Sequence, residues 1–194
     1  MMDRPYIEEK AFERIDFSEK PLAEADYDSC TFTGCNFLNS DLSGTRFIDC
    51  EFRECNLSTA NLTKTSFQDT RFRDCKMLGL YFQKCNPLGF MIGVENCQLD
   101  HSSFYKVNLI LTTFLNSKLH DVDFTEAELK NAVFDNCDLL NSVFENTHLE
   151  KADFSTSFNY SIDPEINRIK GAKFSLPAVV GLLNKYGIEI KDDR

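Results

Sequence analysis

Large apolar residues recur at every fifth position along most of this chain. The clearest stretch runs from Leu99 to Phe154, where Leu and Phe alternate without a miss. The same spacing, written with Phe, Leu, Tyr and Met, runs from Phe12 to Phe82. A period of five matches neither an α-helix, which repeats every ~3.6 residues, nor a flat strand, which repeats every two. A fixed period over so long a stretch indicates a repeat architecture.

A second, smaller position accompanies each large residue. If the large residue is called position i, position i−2 is mostly Ala, Ser, Thr or Cys, and positions i−1, i+1 and i+2 are mostly polar or charged. All eight cysteines occupy position i−2, so we expect small buried side chains rather than metal ligands or a disulfide framework. Cysteines one turn apart, such as Cys35 and Cys55, remain open to adventitious oxidation.

A unit with two inward and three outward residues corresponds to one side of a square coil. Four such units, or twenty residues, complete one turn, and the sequence supports this number independently. Residues twenty apart repeat the same side chain, as in the series Phe104, Phe124 and Phe144. The sequence therefore predicts four faces, with Leu and Phe ladders alternating around the coil and opposite faces matching.

The run CTFTG CNFLN SDLSG TRFID CEFRE CNLST ANLTK TSFQD, residues 30–69, resembles the pentapeptide-repeat family. The resemblance covers about residues 12–154. It implies an all-β fold, a right-handed quadrilateral β-helix with a short α-helical C-terminal cap. On this basis we expect an N-terminal cap at residues 1–11, the β-helix at 12–158 with a register break near 83–93, and a C-terminal cap at 159–194.

The register break falls in a segment with unusual composition. Large residues at 82 and 94 are twelve apart instead of ten, and residues 86–93 contain Pro87, two glycines and an apolar cluster. Proline cannot donate to a strand ladder, so one coil must be interrupted here. Two interpretations stay open, a bulge that joins two stacks of coils and a loop that faces a partner.

The last forty residues depart from the period. Asp163-Pro164-Glu165 predicts the start of a helix that Gly171 ends, and Phe174 resembles a last half-coil. A second helix is predicted around Pro177, followed by a short strand at residues 188–190. This tail resembles the dimerisation element of the Qnr and MfpA proteins and the tail of a microcin-immunity protein. The resemblance implies a homodimer formed through Val179, Val180, Leu183, Tyr186, Ile188 and Ile190.

No motif for chemistry is present in the sequence. Phosphate-binding glycine loops, nucleophile motifs and dinucleotide fingerprints are all missing. The three histidines, His101, His120 and His148, occupy outward positions, and no Cys or paired carboxylate joins them in a recognisable site. We therefore expect a protein that is not an enzyme and that uses no cofactor and no metal.

Charge is the remaining guide to a partner. The net charge of −10 argues against direct binding of nucleic acid. Residues 99–154 contain ten Asp and Glu against four Lys, a net charge of −6, whereas residues 11–86 contain twelve against nine Lys and Arg, a net charge of −3. The candidate partner-binding residues are Asp121, Asp123, Glu126, Glu128, Asp135, Asp138, Glu145, Glu150 and Asp153. This acidity has two interpretations, solubility and imitation of a polyanion.

The resemblance to the Qnr group implies a DNA mimic that binds DNA gyrase or topoisomerase IV and modulates it or protects it from quinolones or peptide poisons. The alternative is a structural or interaction solenoid with a different, unassigned partner. Neither an export signal nor an apolar run of membrane-spanning length is found, so we expect a cytoplasmic protein with no membrane contact.

Overall fold

The computed structural model describes residues 4–191 of the chain. Very short strands carry the fold, each covering one side of a coil. They are β1 (Tyr6–Glu8), β2 (Ala11–Glu13), β3 (Asp26–Asp28), β4 (Thr31–Thr33), β5 (Arg46–Ile48), β6 (Glu51–Arg53), β7 (Ser66–Gln68), β8 (Thr70–Arg73), β9 (Ile92–Glu95), β10 (Thr113–Leu115), β11 (Val133–Asp135), β12 (Asp153–Phe154) and β13 (Lys173–Phe174).

The strands stack as parallel ladders on the sides of a square coil. Face 1 contains β1, β3, β5 and β7, and face 2 contains β2, β4, β6 and β8–β13 in one nine-stranded sheet. Isolated parallel bridges join the other two sides, as between Asp16 and Asn36 on face 3 and between Asp41 and Asn61 on face 4. Paired residues are twenty apart, as in Phe32↔Phe52. The period of five therefore becomes a four-sided parallel β-helix.

Inward side chains of successive coils form continuous stacks. Phe124 lies between Phe104 and Phe144, with ring centroids 5.4 and 5.1 Å away and the rings nearly parallel. The stack on the opposite face, face 2, meets this stack edge-on. The ring centroids of Phe114 and Phe134 lie 6.1 and 5.8 Å from that of Phe124. These offset and edge-to-face arrangements are favoured by the ring quadrupole. The core is thus a column of aromatic and Leu ladders enclosed by the coil.

The position of the aromatic stacks changes along the solenoid. In the second half they lie on the opposite faces 2 and 4, as the sequence predicts. In the first half they lie mainly on the adjacent faces 1 and 2, as the Tyr27–Phe47–Phe67 stack and the Phe12–Phe72 series, with one further stacked pair, Phe17 and Phe37, on face 3. Phe90 makes the transition, contacting Phe67 at 6.5 Å and Phe82 at 6.3 Å, both edge-on. Opposite faces therefore match only beyond the register break.

The cysteines are buried packing residues, as predicted. All eight are free and buried. Several thiols donate to a carbonyl oxygen of the preceding coil, such as Cys55 Sγ to Phe32 O at 3.3 Å. Burial raises the pKa of the Cys50 thiol to about 12 and that of Cys137 to about 11. These thiols are therefore protonated and unreactive at neutral pH.

Most corners of the coil use a residue with positive φ at position i+2. Asn, Asp and Gly are frequent there, for example Asn131 at φ 55° and Gly44 at φ 71°. Short polar side chains and glycine tolerate the left-handed region best, which explains the composition of this position. The corner residue then turns the chain into the next side of the square.

The register break is a coil of twenty-two residues. Phe72 pairs with Val94 and Val94 pairs with Phe114, so the spacing is twenty-two and then twenty again. Asn86 N–H still donates to Thr65 O in the normal register. The two extra residues therefore lie between Asn86 and Ile92.

At the N-terminus the coil begins earlier than expected. β1 pairs with β3 in register, Ile7 lying opposite Tyr27. Residues 4–11, expected within an N-terminal cap, therefore form part of the first coil.

The C-terminal region corrects the expected α-helices. Residues 163–171 continue the coil, because Arg168 bridges to His148 and β13 pairs with β12. Asp163 Oδ1 accepts a hydrogen bond from Glu165 N–H at 2.8 Å, so the predicted helix cap is instead a local turn. The cap beyond β13 consists of two short 3₁₀ turns, Val179–Leu182 and Asn184–Tyr186, and residues 188–191 pair with no strand of the described chain.

Candidate interaction surfaces

The nine acidic residues predicted to bind a partner are distributed over all four faces. Asp123, Glu126 and Glu145 lie on face 4, with Asp121 at its edge, and we call these four residues the acidic face. Asp138 lies on face 3. The rest lie on face 1 (Glu128 and Glu150) and on face 2 (Asp135 and Asp153). The structure thus brings together four of the nine.

Most of these carboxylates have a basic partner from a neighbouring coil. The pairs include Lys106–Glu126 at 3.3 Å and Lys173–Asp153 at 2.8 Å. Within residues 4–191 the three that make no salt bridge are Asp123, Asp135 and Glu145. Two of these three lie on the acidic face, which is therefore less neutralised than the other sides.

Each histidine is part of such a pair. His101 Nδ1 lies 3.7 Å from Asp121, His148 Nδ1 lies 2.6 Å from Glu128, and His120 Nε2 lies 2.7 Å from Asp138. Burial acts to raise the pKa of Asp138, but the hydrogen bonds it accepts, led by that from His120, outweigh burial and hold the pKa below its ordinary value.

These histidine pairs escaped the sequence analysis, although a signal for two of them was present. His101 and Asp121 are twenty residues apart, as are Glu128 and His148, which is the spacing of neighbours in successive coils. Within residues 4–191 no group of three or more His, Cys, Asp or Glu is arranged to hold a metal ion.

The pair between Asp153 and Lys173 predicts a pH dependence of stability. Hydrogen bonds from Lys173 and Ser155 lower the pKa of Asp153 to about 2. A carboxyl whose pKa is lower in the folded state stabilises the fold above its ordinary pKa of ~4 and loses that effect as pH falls toward 2. We therefore expect Asp153→Asn to lower the free energy of unfolding at pH 7, and the difference from wild type to shrink between about pH 4.5 and 2.

Urea titrations across this pH range measure the effect of Asp153→Asn. Asp135→Asn is the control for loss of a carboxylate on the same face, since Asp135 makes no salt bridge among the described residues. A difference from wild type that stays constant down to pH 2 would contradict the ion-pair interpretation.

The C-terminal cap presents a second surface, and it is apolar. Of the six residues predicted for dimerisation, five are markedly exposed: Val180, Leu183, Tyr186, Ile188 and Ile190, at 38–57%. The inner side of the cap packs on the last coil through Ala178 and Leu182. Lys185 holds it in place through Asp163 at 2.7 Å and Glu165 at 2.6 Å. Five of the six predicted residues are therefore on the outside of the cap, and Val179 is partly buried.

Membrane-spanning helices are not found in residues 4–191, where no helix is both long enough and apolar enough to cross a bilayer.

Comparison with solved structures places this chain among other β-helices. A trypsin-treated variant of QnrB1, a plasmid-mediated fluoroquinolone resistance protein, is 21% identical over 97% of this chain and 92% of its own, with a TM-score of 0.54. Full-length QnrB1 is 20% identical over 95% and 100%, with a TM-score of 0.45. HetL, a pentapeptide repeat protein involved in heterocyst differentiation regulation in Nostoc, is 13% identical over 89% and 86%, with a TM-score of 0.47.

At these identities the likeness shows the fold alone. No curated protein sequence matches the chain. The family model for the pentapeptide repeat region matches residues 25–87 and 93–158, the two stretches on either side of the register break. Together with the four-sided parallel coil, this match shows that the chain belongs to the pentapeptide-repeat family.

Proposed function

We propose that this protein is a non-enzymatic DNA mimic that binds DNA gyrase or topoisomerase IV and modulates it or protects it from quinolones or peptide poisons. The single observation that carries the proposal is the acidic face, which lies in the coils close to the apolar C-terminal cap. QnrB1, whose fold is similar, is described as a fluoroquinolone resistance protein.

The dimensions of the solenoid agree with a mimic of duplex DNA. The nine strands of face 2 are separated by eight intervals of about 4.8 Å, which gives a rod of about 38 Å. Duplex DNA carries about one charge per 1.7 Å, or about 22 over this length. The net charge of −10 is therefore roughly half that of DNA of equal length.

A homodimer through the cap would join two such rods. The exposed apolar residues of the cap form a patch of the kind that marks protein interfaces. Pairing two caps around a two-fold axis covers this patch in both copies and places two acidic faces on one long particle.

The second candidate function is a solenoid that binds an unassigned partner. The ion pairs between residues of the solenoid favour it, because lysines neutralise four of the nine acidic candidates, Glu126, Glu128, Glu150 and Asp153. In this case the acidity mainly maintains solubility.

A supercoiling assay with purified gyrase, with and without a quinolone, tests the proposal. We expect inhibition or drug protection at micromolar protein, and we expect both effects to be lost in the triple variant Asp123→Lys, Glu126→Lys and Glu145→Lys, since association between charged surfaces depends on complementary potentials.

The matched control reverses the same number of charges on face 2, in Glu54→Lys, Asp74→Lys and Asp135→Lys. Equal loss in both triple variants would mean that net charge, rather than the acidic face, determines the effect. If wild-type protein neither inhibits nor protects gyrase or topoisomerase IV, the DNA-mimic proposal is wrong and the second candidate stands.

A further inference from the structure

The strand ladder is interrupted along face 1 where the coil of twenty-two residues meets the next coil. Lys84 N–H donates to Tyr81 O within its own coil at 3.1 Å, whereas the equivalent Lys106 N–H donates to Thr125 O of the following coil. Pro87 has no N–H to donate. Among the described residues no backbone hydrogen bond joins residues 83–91 to residues 105–112. The two coils are therefore separated at this corner.

The separation opens an apolar cleft of about 480 Å³. Its walls include Phe82, Cys85 and Phe90 from one coil and Tyr105 and Val107 from the next. Cys85 is the most exposed of the eight cysteines, at 8%. Such a volume lies within the range of about 300–1,000 Å³ that is usual for ligand pockets.

Large apolar side chains are exposed in the same two coils as the residues that line the cleft. Leu88 is 77% exposed, Leu111 71% and Ile110 42%. Leu111 also has φ 64°, a conformation that is unfavourable for a bulky residue and that other corners give mostly to Asn, Asp, Gly or Lys. Solvent exposure and backbone strain thus coincide at Leu111, which lines a neighbouring depression on face 2 rather than the cleft itself.

A row of lysines lies at the corner between face 4 and face 1, and one of them, Lys106, lines the cleft. Lys64, Lys84 and Lys106 occupy the same position after the inward residue in three successive coils, and the coils of Lys64 and Lys84 are joined here at a spacing of about 4.8 Å. Lys106 pairs with Glu126 at 3.3 Å, whereas Lys64 and Lys84 make no salt bridge within residues 4–191. Like charges at this spacing repel one another, so an acidic ligand along the row gains binding energy.

The unpaired backbone indicates how a ligand lies in the cleft. Glu128 N–H donates to Val107 O of the preceding coil at 3.0 Å, but the equivalent Asn108 N–H finds no such partner on Cys85. An extended segment entering the gap can accept from Asn108 and add to the edge of the ladder.

We infer that this cleft binds an extended acidic segment of a partner protein. Its apolar side chain occupies the space between Phe82 and Val107, and its carboxylates meet Lys84 and Lys106. This surface is opposite in charge to the acidic face, and the inference does not depend on gyrase being a partner.

Fluorescence anisotropy with a labelled nonapeptide tests the inference. The probe has Leu-Phe at its centre and is otherwise Asp and Glu, one control peptide has Ser-Ser at the centre, and another has Lys for every acid. We expect saturable binding of the first peptide only, weakened at least about tenfold by Lys84→Glu with Lys106→Glu.

The control variant, Lys130→Glu with Lys151→Glu, reverses two lysines further along face 1 and should bind the probe like wild type. Binding is compared under conditions in which the same fraction of each variant is folded, and the urea unfolding midpoints of the variants define these conditions. Absence of binding, equal binding of the Ser-Ser peptide, or equal weakening in both variants would overturn the inference. So would binding to phosphatidylserine vesicles that depends on Lys84 and Lys106 when the peptide does not bind, since this indicates a lipid surface.

Discussion

Replacing Phe124 by alanine is expected to lower the free energy of unfolding by about 3–5 kcal/mol. The ring is fully buried and lies between Phe104 and Phe144 in its own stack. It also contacts Phe114 and Phe134 edge-on, so truncation opens a cavity that four aromatic neighbours line. A continuous ladder cannot collapse around the gap, because the backbone of each coil is fixed by hydrogen bonds to the coils on both sides.

Phe158→Ala is the matched control for Phe124→Ala. Phe158 belongs to the same solenoid and takes part in a bridge through its backbone, but its side chain is 42% exposed on the outside. We expect a loss below about 1 kcal/mol for this variant. Urea or guanidinium titrations of both variants measure the difference. Similar losses for the two would mean that the inward positions are not where the five-residue period places them.

Most of the fold follows from the sequence because one period determines several levels of structure. The spacing of five identifies the inward residues, and the spacing of twenty identifies which of them stack, as Phe104 on Phe124. The same spacing of twenty pairs opposite charges on the outside, as in Lys130 with Glu150. Because successive coils stack in parallel with no offset in register, residues twenty apart are neighbours both in the core and on the outer surface.

The tail was not predictable, because its local signals have two physical outcomes. Asp163 before Pro164 caps a helix or closes a turn, and here it closes a turn. Asn167 occupies an inward position that small residues usually hold, and its side chain makes the hydrogen bonds that Ser157 makes on another face, accepting from Thr147 N–H and donating to Phe144 O, both at 2.8 Å. A polar inward residue conceals the period although the coil continues.

The candidate surfaces were only partly predictable for a related reason. Charge counts along the chain locate acidity in residues 99–154, but a coil of four faces distributes consecutive residues in all directions. The position of each residue within its coil of twenty decides its face, and it places Asp123 and Glu145 on one face and Asp135 on another. The cleft near Pro87 depends on missing backbone hydrogen bonds, which composition alone does not reveal.

Gly181→Ala is expected to detach the C-terminal cap. A Cβ at this position would overlap Tyr160 O and lie 2.9 Å from the Tyr160 ring, and a backbone atom in that position cannot yield without a shift of the chain. The Gly181 carbonyl also accepts from Ile162 N–H at 3.0 Å, so the displacement breaks a hydrogen bond that ties the cap to the last coil. Phe174 and Tyr160 then lose cover at the end of the core, where the ladder has no further coil.

The Gly181→Ala variant is measured by limited trypsin digestion and by light scattering. We expect rapid cleavage at Lys185 with residues 25–158 still protected, and loss of the proposed dimer to monomer or aggregate. Gly93→Ala is the control, because its Cβ meets nothing closer than Arg71 Cγ at 3.9 Å. A variant of Gly181 that keeps both the protease resistance and the oligomeric state of wild type would show that the cap does not depend on this close approach. If digestion is rapid but the dimer persists, the cap is displaced as expected and the dimer interface lies elsewhere on the solenoid. A displaced cap no longer holds its exposed apolar residues in one arrangement, so it could not form that interface.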